Sequence, residues 1–327
     1  MSQSTRLTRR ACLCAVAAWS LTRGAFAQES YPSRPVRIVV PFPAGTGSDG
    51  LARHVARRLQ ELSGTPFIVE NKPGANGFIG AEFVSKAQPD GYTLAVFSNS
   101  VLAANTALFK TLPYDPVSGF EPLMGLARAP NLLLVSHGSP YTTVEQLVVA
   151  GRQKAGELKF SYASASYNIA IRAFTQAAGF EALGAPYQGP VPALIDLSSG
   201  QVDFTITDVG VAQPLIAARR IRALAVTTTD RHPHHPDIPS LSEKPGLEGF
   251  SYASWAGFFA PPGLPADVSA KLRGWLETIV TEPQMLAFLE KQGIQPWPAD
   301  APQVKKHQQT EIDWWKATAA RAGLMPQ

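Results

Sequence analysis

Residues 36–50 read VRIVVPFPAGTGSDG and join a strand pattern to a helix pattern through a loop rich in glycine and proline. Val36–Val40 is a short apolar run with many β-branched residues, which is typical of a buried parallel strand. After the loop, apolar residues recur at helical spacing from Leu51 to Leu62. A strand, a loop and a helix in this order form the repeating unit of an α/β fold.

The same alternation of strand and helix patterns continues along the chain. Further strands are predicted at Phe67–Glu70, Thr93–Phe97, Leu132–Val135, Lys159–Ala163, Asp203–Thr207 and Ile221–Val226. Helices are predicted at Val144–Arg152, Ile169–Ala178, Pro192–Leu197 and Val304–Ala322. In the last helix, Ile312 and Trp315 are expected to face a core, with Trp314 at its rim. This order predicts an α/β fold with mostly parallel sheets.

The loop of residues 45–50 has the pattern G-x-G-x-x-G, and Glu70 follows the next predicted strand. Together they resemble a dinucleotide-binding fingerprint, in which the acid would hold a ribose. Pro41 and Pro43 argue against this interpretation, because they make the turn wider and stiffer than the tight turn of that motif. Because the glycine pattern and the acid are nevertheless present, a nicotinamide-dependent enzyme remains an alternative.

The same loop is also suited to a simpler anion. A glycine-rich loop before a helix presents unpaired backbone N–H groups and the positive end of the helix dipole. Ser48 adds a hydroxyl donor, while Asp49 is expected to cap the helix, to orient the loop or to bind water. The alternative is an ordinary helix cap without a ligand.

The N-terminus has the features of an export signal. Arg6, Arg9 and Arg10 precede an apolar run from Ala11 to Leu21, and a small-x-small pattern ends at Ala27. These features predict a signal peptide that is cleaved after Ala27, and hence a periplasmic protein. The paired arginines also resemble a twin-arginine signal, so the export route stays open.

Composition narrows the class of protein. The chain has 327 residues, of which 45% are hydrophobic and 17% charged, which excludes a disordered or fibrous chain and favours two domains. Removing the four arginines of the leader from the 29 basic residues leaves 25 bases against 25 acids. A neutral mature chain gives no electrostatic reason to expect nucleic acid or an anionic membrane as partner.

The chain offers little for metal or cofactor chemistry. Cys12 and Cys14 both lie in the leader, so the mature chain would have neither a disulfide nor a thiolate ligand. His232, His234 and His235 form a short histidine tract, but the prolines between them favour an extended loop in which they cannot converge. We therefore expect no metal and no cofactor.

Motifs spread along the chain resemble the periplasmic solute-binding receptors of tripartite tricarboxylate transporters, also called Bug-type receptors. They cover essentially the whole mature chain in the order of that family. The motifs are Tyr31–Pro35, Val39–Gly45, Glu70–Gly77, Pro89–Leu94, Leu112–Pro116, Pro186–Gly189, Arg222–Thr227 and Trp255–Gly257.

The resemblance implies a type II periplasmic-binding-protein fold, with two mixed-sheet α/β domains around a ligand cleft. Domain 1 would be discontinuous, with residues 28–128 plus 251–327, and domain 2 would comprise residues 129–250. Such a receptor captures a small organic carboxylate by closing its cleft and delivers it to membrane permease subunits. The resemblance further implies a monomer that is not an enzyme.

A set of candidate ligand-binding residues follows from the glycine-rich loop and from the resemblance. It comprises Phe42, Ala44, Gly45, Thr46, Gly47, Ser48, Asp49, Ser98, Asn99, Ala163, Ser164, Ser166, Tyr167, Tyr187, Gly189 and Asp208. Asp208 follows a predicted strand, so it is expected either at the ligand or as a helix cap.

The sequence departs from the family's pattern in both loops. Ala163 and Ala165 replace glycines of the facing loop, Tyr167 adds a bulky ring there, and Thr46 replaces a common glycine in the first loop. These changes predict a closer and more apolar wall, and a ligand preference that differs from that of relatives that bind simple amino acids.

Two other classes of function remain open. A hydrolase would need a placed nucleophile, but no G-x-S-x-G pattern is present in the sequence. A receptor that signals to a membrane sensor would have the same fold and the same cleft. The identity of the carboxylate stays open as well.

Overall fold

The strand–loop–helix unit predicted at residues 36–62 is present in the computed structural model, which describes residues 31–233 and 235–327. Strand β1 spans Val36–Val40 as predicted, and helix α1 spans Gly47–Ser63. The predicted signal peptide and its cleavage after Ala27 lie outside the described residues.

The described residues form a mixed α/β structure. Its remaining strands are β2 (Phe67–Asn71), β3 (Thr93–Ser98), β4 (Glu121–Ser136), β5 (Lys159–Tyr162), β6 (Leu183–Pro186), β7 (Phe204–Asp208), β8 (Ile221–Val226), β9 (Ala253–Ala260) and β10 (Gln295–Pro296). Its remaining helices are α2 (Phe78–Ser85), α3 (Asn105–Leu108), α4 (Val144–Gln153), α5 (Ala165–Ala177), α6 (Pro190–Ser199), α7 (Val209–Ala217), α8 (Ala266–Thr281), α9 (Pro283–Lys291) and α10 (Ala301–Arg321). The α/β class predicted from the sequence is confirmed.

The strands follow the order β2-β1-β3-β9-β4-β7-β5-β6, while β8 and β10 each pair with β4. The pairs β1/β2, β1/β3, β5/β6 and β5/β7 are parallel. The pairs that involve β4 or β9 are antiparallel. The prediction of mostly parallel sheets is therefore wrong, because these two central strands run against their neighbours.

Strand β4 is shared by two sheet halves. Its residues 121–130 pair with β9, and its residues 131–136 pair with β7 and β8. We call β1–β3, β9, β10 and residues 121–130 the first sheet half, and β5–β8 with residues 131–136 the second sheet half. Both belong to one compact unit, Arg34–Gln327. The domain boundaries at residues 128 and 250 stay a prediction.

Apolar side chains fill a core against each sheet half. Phe97, Trp255 and Phe259 pack in the first, and Phe160 and Phe204 pack in the second. Complete burial of side chains of this size contributes about 2–3 kcal/mol each to folding. These cores hold the strand ends, and thus the loops that follow them, in fixed positions.

Helix α10 packs as the sequence predicted. Ile312 and Trp315 are buried, whereas Trp314 is 37% exposed at the rim. Helix α10 contacts both the helical turn Ser100–Ala104 and β4. In residues 31–233 and 235–327, no helix is both long enough and apolar enough to span a membrane.

Candidate functional site

A cleft opens between the two sheet halves, at the ends of several strands. The space inside it is about 720 Å³, which includes solvent at its open mouth. The cleft is lined by Phe42, Pro43, Thr46, Gly47, Ser48, Leu51, Ser98, Asn99, Ala127, Ala129, Ala163, Ser164, Ser166, Tyr167, Gly189, Pro190, Asp208, Ser254, Trp255, Ala256 and Ile294.

Four helices begin at this cleft. Their N-cap residues are Thr46 for α1, Ser164 for α5, Gly189 for α6 and Asp208 for α7, and each of these caps lines the cleft. The first N–H groups of a helix have no acceptor within the helix, and the dipole gives this end a partial positive charge. The fold thus directs four partial positive charges into one space, which suits a bound anion.

The glycine-rich loop before α1 is fixed by its own hydrogen bonds. Thr46 caps the helix, because its Oγ1 accepts from the N–H of Asp49 at 3.3 Å and donates to the carbonyl of Pro43 at 3.1 Å. The N–H of Gly45 donates to Asp49 Oδ2 at 3.0 Å. The hypothesis that Asp49 orients the loop is confirmed.

Asp49 is held in turn by groups on the outer side of the loop. Its carboxylate accepts from Arg53 Nε at 3.1 Å and from Asn71 Nδ2 at 2.9 Å. Burial alone would raise the pKa of Asp49, but these donors together with the Gly45 N–H outweigh it, so the pKa lies below its ordinary value. Asp49 is therefore an ionised anchor of the loop and does not border the cleft.

The other donors in the cleft are neutral. Ser164 Oγ and Ser166 Oγ lie 3.1 Å apart, and both side chains are buried. Ser98 is the last residue of β3 and Asn99 follows it, while Ser254 lies at the start of β9. Among the lining residues there is no lysine, arginine or histidine. Hydroxyl, amide and backbone N–H groups are thus the available partners for an anion.

Asp208 is the one carboxylate among the lining residues. The orientation of the Asn131 amide that satisfies both of its ends places Nδ2 2.9 Å from Asp208 Oδ1. Tyr167 and Ser254 also hydrogen-bond to this carboxyl. Burial among protein atoms raises the pKa of Asp208, although these hydrogen bonds oppose the shift.

Asp208 also reaches across the cleft. Its Oδ2 would lie 3.2 Å from a Cβ atom placed on Gly47. A Cβ on Gly189 would similarly lie 3.4 Å from Pro43 Cγ. The two sheet halves thus lie close together at these two glycines, and at Gly47 a side chain would crowd the opposite wall.

The structure brings together most of the predicted site residues. Those that line the cleft are Phe42, Thr46, Gly47, Ser48, Ser98, Asn99, Ala163, Ser164, Ser166, Tyr167, Gly189 and Asp208. Whether they contact a ligand stays a prediction.

Four predicted residues do not line the cleft. Ala44 and Gly45 are exposed on the outer side of the loop, and the Gly45 N–H already donates to Asp49. Asp49 is occupied by Arg53 and Asn71. Tyr187 is turned away because its hydroxyl donates to Asp196 Oδ2 at 2.6 Å. The structure places these four residues outside the lining of the cleft, and whether they contact a ligand stays a prediction.

Tyr167 contributes less surface to the wall than the sequence suggested. Its side chain is only 9% exposed and packs in the core, where its ring meets that of Tyr252 edge-on at 6.4 Å. Burial raises the pKa of its hydroxyl. Tyr167 therefore serves mainly as a core residue that also supports Asp208.

Sequence reasoning missed nine of the residues that line the cleft. They are Pro43, Leu51, Ala127, Ala129, Pro190, Ser254, Trp255, Ala256 and Ile294. The motif Trp255–Gly257 was a signal, since it was recognised as part of the resemblance. The alanines of β4 carry no chemical pattern that could have identified them.

The geometry gives little support to a dinucleotide site or to a histidine metal site. Glu70, the candidate ribose ligand, pairs with Arg37 at 3.0 Å and with Lys72 at 2.6 Å and does not line the cleft. His232 Nε2 lies 2.9 Å from the carbonyl oxygen of Gly293, and His234 is outside the described residues. Within the described residues, no three histidine, cysteine or acidic side chains converge as a metal site.

Comparison with known proteins gives consistent matches. The model of the family described as "Tripartite tricarboxylate transporter family receptor" matches residues 51–324. A UPF0065 protein of the tcbD-tcbE intergenic region in Pseudomonas sp. strain P51 is 36% identical over 290 residues, which cover 88% of this chain and 86% of that protein.

Two solved structures share the fold over nearly their full length. The R. palustris protein Rpa4515, solved with adipate, is 34% identical with a TM-score of 0.88, and the match covers 91% of this chain and 100% of that one. The periplasmic binding protein BugD is 29% identical with a TM-score of 0.85 and the same coverage. The periplasmic-binding-protein fold implied by the resemblance is thereby confirmed.

Proposed function

The chain belongs to the tripartite tricarboxylate transporter receptor family, and we propose that it captures one small organic carboxylate in the cleft between its two sheet halves. The bound acid would then be delivered to the membrane permease subunits of such a transporter. Binding and release would be the whole chemistry of this protein.

One observation carries the proposal: four helix N-termini and several neutral donors converge on a cleft whose lining includes no cationic side chain. A planar carboxylate can accept hydrogen bonds from N–H and hydroxyl groups on both sides of the cleft at once. Each of these hydrogen bonds is charge-assisted because the carboxylate is ionised, so neutral donors are sufficient to hold the acid. The adipate in the related R. palustris structure supports an acid of this class.

Closure of the cleft would couple the two sheet halves to the ligand. Gly47 and Gly189 allow the opposite walls to approach within van der Waals distance. A carboxylate that bonds to α1 on one side and to α5 on the other is bound best when both walls are close. The ligand then shifts an equilibrium between open and closed forms towards the closed one.

The remaining parts of the proposal concern location, partners and the lack of an enzymatic activity. The predicted leader supports a periplasmic location, and the family supports permease subunits as partners of a monomeric receptor. The nearest neighbour of Ser164 Oγ is Ser166 Oγ, and no histidine lines the cleft that could act as a base. The carboxylate of Asp208 in this lining accepts from Asn131, so we assign the Ser164 hydroxyl the role of a donor and not of a nucleophile.

The proposal is tested by calorimetry on the chain that begins at Gln28. A panel of five acids, namely adipate, succinate, malate, aspartate and benzoate, is compared with adipamide and benzamide as matched controls. We expect at least one acid to bind with a Kd of about 10 μM or tighter, and its amide to bind about 100-fold more weakly. The proposal fails if no acid binds or if an amide binds as tightly as its acid.

A further inference from the structure

Glu311 lies on α10 directly behind the cleft wall and takes no part in the site described so far. Its Oε2 accepts hydrogen bonds from Trp255 Nε1 at 2.9 Å and from Trp315 Nε1 at 3.1 Å. The side chain of Asn99 lies near this carboxyl and lowers its pKa, while Asn99 Nδ2 donates to the carbonyl of Ala253 at 3.4 Å. Only 17% of the Glu311 side chain is exposed, so these contacts are largely shielded from water.

One of the two tryptophan donors is part of the cleft. Trp255 of β9 lines it, whereas Trp315 is completely buried in the core. Glu311 thus contacts the wall of the cleft through the Trp255 indole. A hydrogen bond to an ionised acceptor is about twice as strong as a neutral one, and it fixes the donor's direction.

We propose that Glu311 is a positioning residue of the carboxylate site, which holds the Trp255 indole in the orientation that receives the ligand. Glu311 itself would not touch the ligand. This inference rests on the proposed function, because it assigns Glu311 a role in the binding of an acid at this cleft.

The surroundings of Glu311 favour such a role over a purely structural one. His307 lies one turn earlier on α10, 3.7 Å from Glu311 Oε1, and Arg128 of β4 lies beyond it, 3.4 Å from the other ring nitrogen. Burial and the charge of Arg128 lower the pKa of His307 to about 4, so this ring is neutral near pH 7. The groups next to the carboxyl are therefore neutral, and the cation Arg128 lies beyond His307.

A buried carboxylate in this position costs stability. Burial raises the pKa of Glu311, although the hydrogen bonds oppose the shift, so the ionised form destabilises the fold as pH rises through that raised value. A neutral residue of equal size would suit the fold at least as well at neutral pH. The benefit of the Glu311 charge is thus the orientation that it gives to the wall of the cleft.

The experiment is a double-mutant cycle on affinity for the same five acids. It compares the wild-type protein, Glu311→Gln, Trp255→Phe and the double variant. We expect Glu311→Gln to weaken the tightest-binding acid of the panel about tenfold in the wild-type background, and about twofold or less in the Trp255→Phe background. Non-additivity of this kind is the mark of a residue that acts through another.

Trp315→Phe is the matched control, because Trp315 donates to the same oxygen but does not line the cleft. We expect this variant to change affinity by less than about twofold, and its melting temperature to fall by several degrees through loss of core packing. If Glu311→Gln does not fold, Glu311→Asp replaces it, since it keeps the charge but withdraws it from the indole by one methylene. We expect an affinity loss of about threefold or more for that variant.

Four results would overturn this inference. Equal effects of Glu311→Gln in both backgrounds, or wild-type affinity in the Glu311 variant that folds, overturn the positioning role while leaving the carboxylate receptor intact. An affinity loss from Trp315→Phe as large as that from Glu311→Gln also overturns it, because the effect would then belong to the core. Failure of every acid to bind the wild-type protein overturns the proposed function and this inference together.

Discussion

Asp49 and Asp208 lie near the N-termini of two helices on opposite sides of the cleft, yet their surroundings differ. Asp49 pairs with Arg53 and accepts from its own loop, which lowers its pKa. Asp208 has only neutral donors, and burial raises its pKa. Asp49, which has a cation partner, shapes its loop, whereas Asp208, which has none, faces the space that a ligand would enter.

The largest effect is expected where these two regions meet. Gly47→Val would place a branched side chain at the position where a Cβ alone lies 3.2 Å from Asp208 Oδ2. The walls could then not close on a ligand, and we expect affinity to fall by about 100-fold or more, which is about 2.7 kcal/mol. Titration calorimetry measures this loss.

Gly50→Ala is the control for that variant, because no atom lies within 4 Å of its added Cβ and it occupies the same helix. We expect it to bind the acid normally and to be more stable by about 0.5–1 kcal/mol. Normal titration of Gly47→Val would show that Asp208 and Gly47 do not meet in the binding state.

The next effect is a pH dependence of affinity that distinguishes Asp208 from Asp49. Once Asp208 is ionised it repels a bound carboxylate, so the affinity of the wild-type protein should fall about tenfold as pH rises through the raised pKa of Asp208. Asp208→Asn should remove this dependence and leave affinity nearly constant over the same rise in pH. An unchanged pH profile in Asp208→Asn would mean that this acid does not sense the ligand.

The same titration has a consequence for stability. Because the folded state raises the pKa of Asp208, the ionised form costs stability, and this cost grows as pH rises through the raised value. Asp208→Asn should therefore lose less stability than the wild-type protein as pH rises through that value. Urea unfolding at pH values below and above it measures the difference.

A smaller effect is expected at Asp49. Asp49→Asn removes the charge that holds Arg53 and weakens the acceptor of the Gly45 N–H, so the loop should loosen. We expect affinity to fall about threefold and stability at neutral pH to fall by about 1–2 kcal/mol. Since the pKa of Asp49 is lowered in the fold, the stability difference should vanish as pH falls through that lowered value. A pH-independent difference would contradict the role as an ionised anchor.

The smallest effect is expected at Tyr187, which the sequence placed in the site. Its hydrogen bond to Asp196 raises its pKa to about 12, and its side chain does not line the cleft. Tyr187→Phe should cost about 0.5–1 kcal/mol of stability and change affinity by less than about twofold. An affinity loss of about tenfold would indicate that Tyr187 contacts the ligand.

Local sequence patterns were sufficient for one side of the cleft. The loop before α1 could be predicted because its glycines, its cap and the helix after it are neighbours in the chain. The same pattern could not separate Gly45 from Gly47, since their roles depend on which N–H is already bonded to Asp49. Nor could spacing show that an arginine one turn later would fix Asp49.

The other side depends on pairing between distant segments. Ala127, Ala129 and Ala256 enter the cleft because β4 and β9 run antiparallel and bring residues more than 120 positions apart into register. Small residues with no distinctive chemistry give no sequence signal for such a wall. Strand β9 was itself missed, because serine and glycine interrupt its apolar run. Glu311 was missed for the same reason, since its partner Trp255 lies on another element.

The most direct test of the account is a crystal structure with the tightest-binding acid of the panel. We predict that the carboxylate oxygens lie within about 3 Å of a backbone N–H of Gly47 or Ser48 and of a hydroxyl of Ser164 or Ser166. No lysine or arginine should contact the ligand. An acid held outside the cleft, for example in the basic and acidic surface groove at Arg34 and Arg37, would contradict the account.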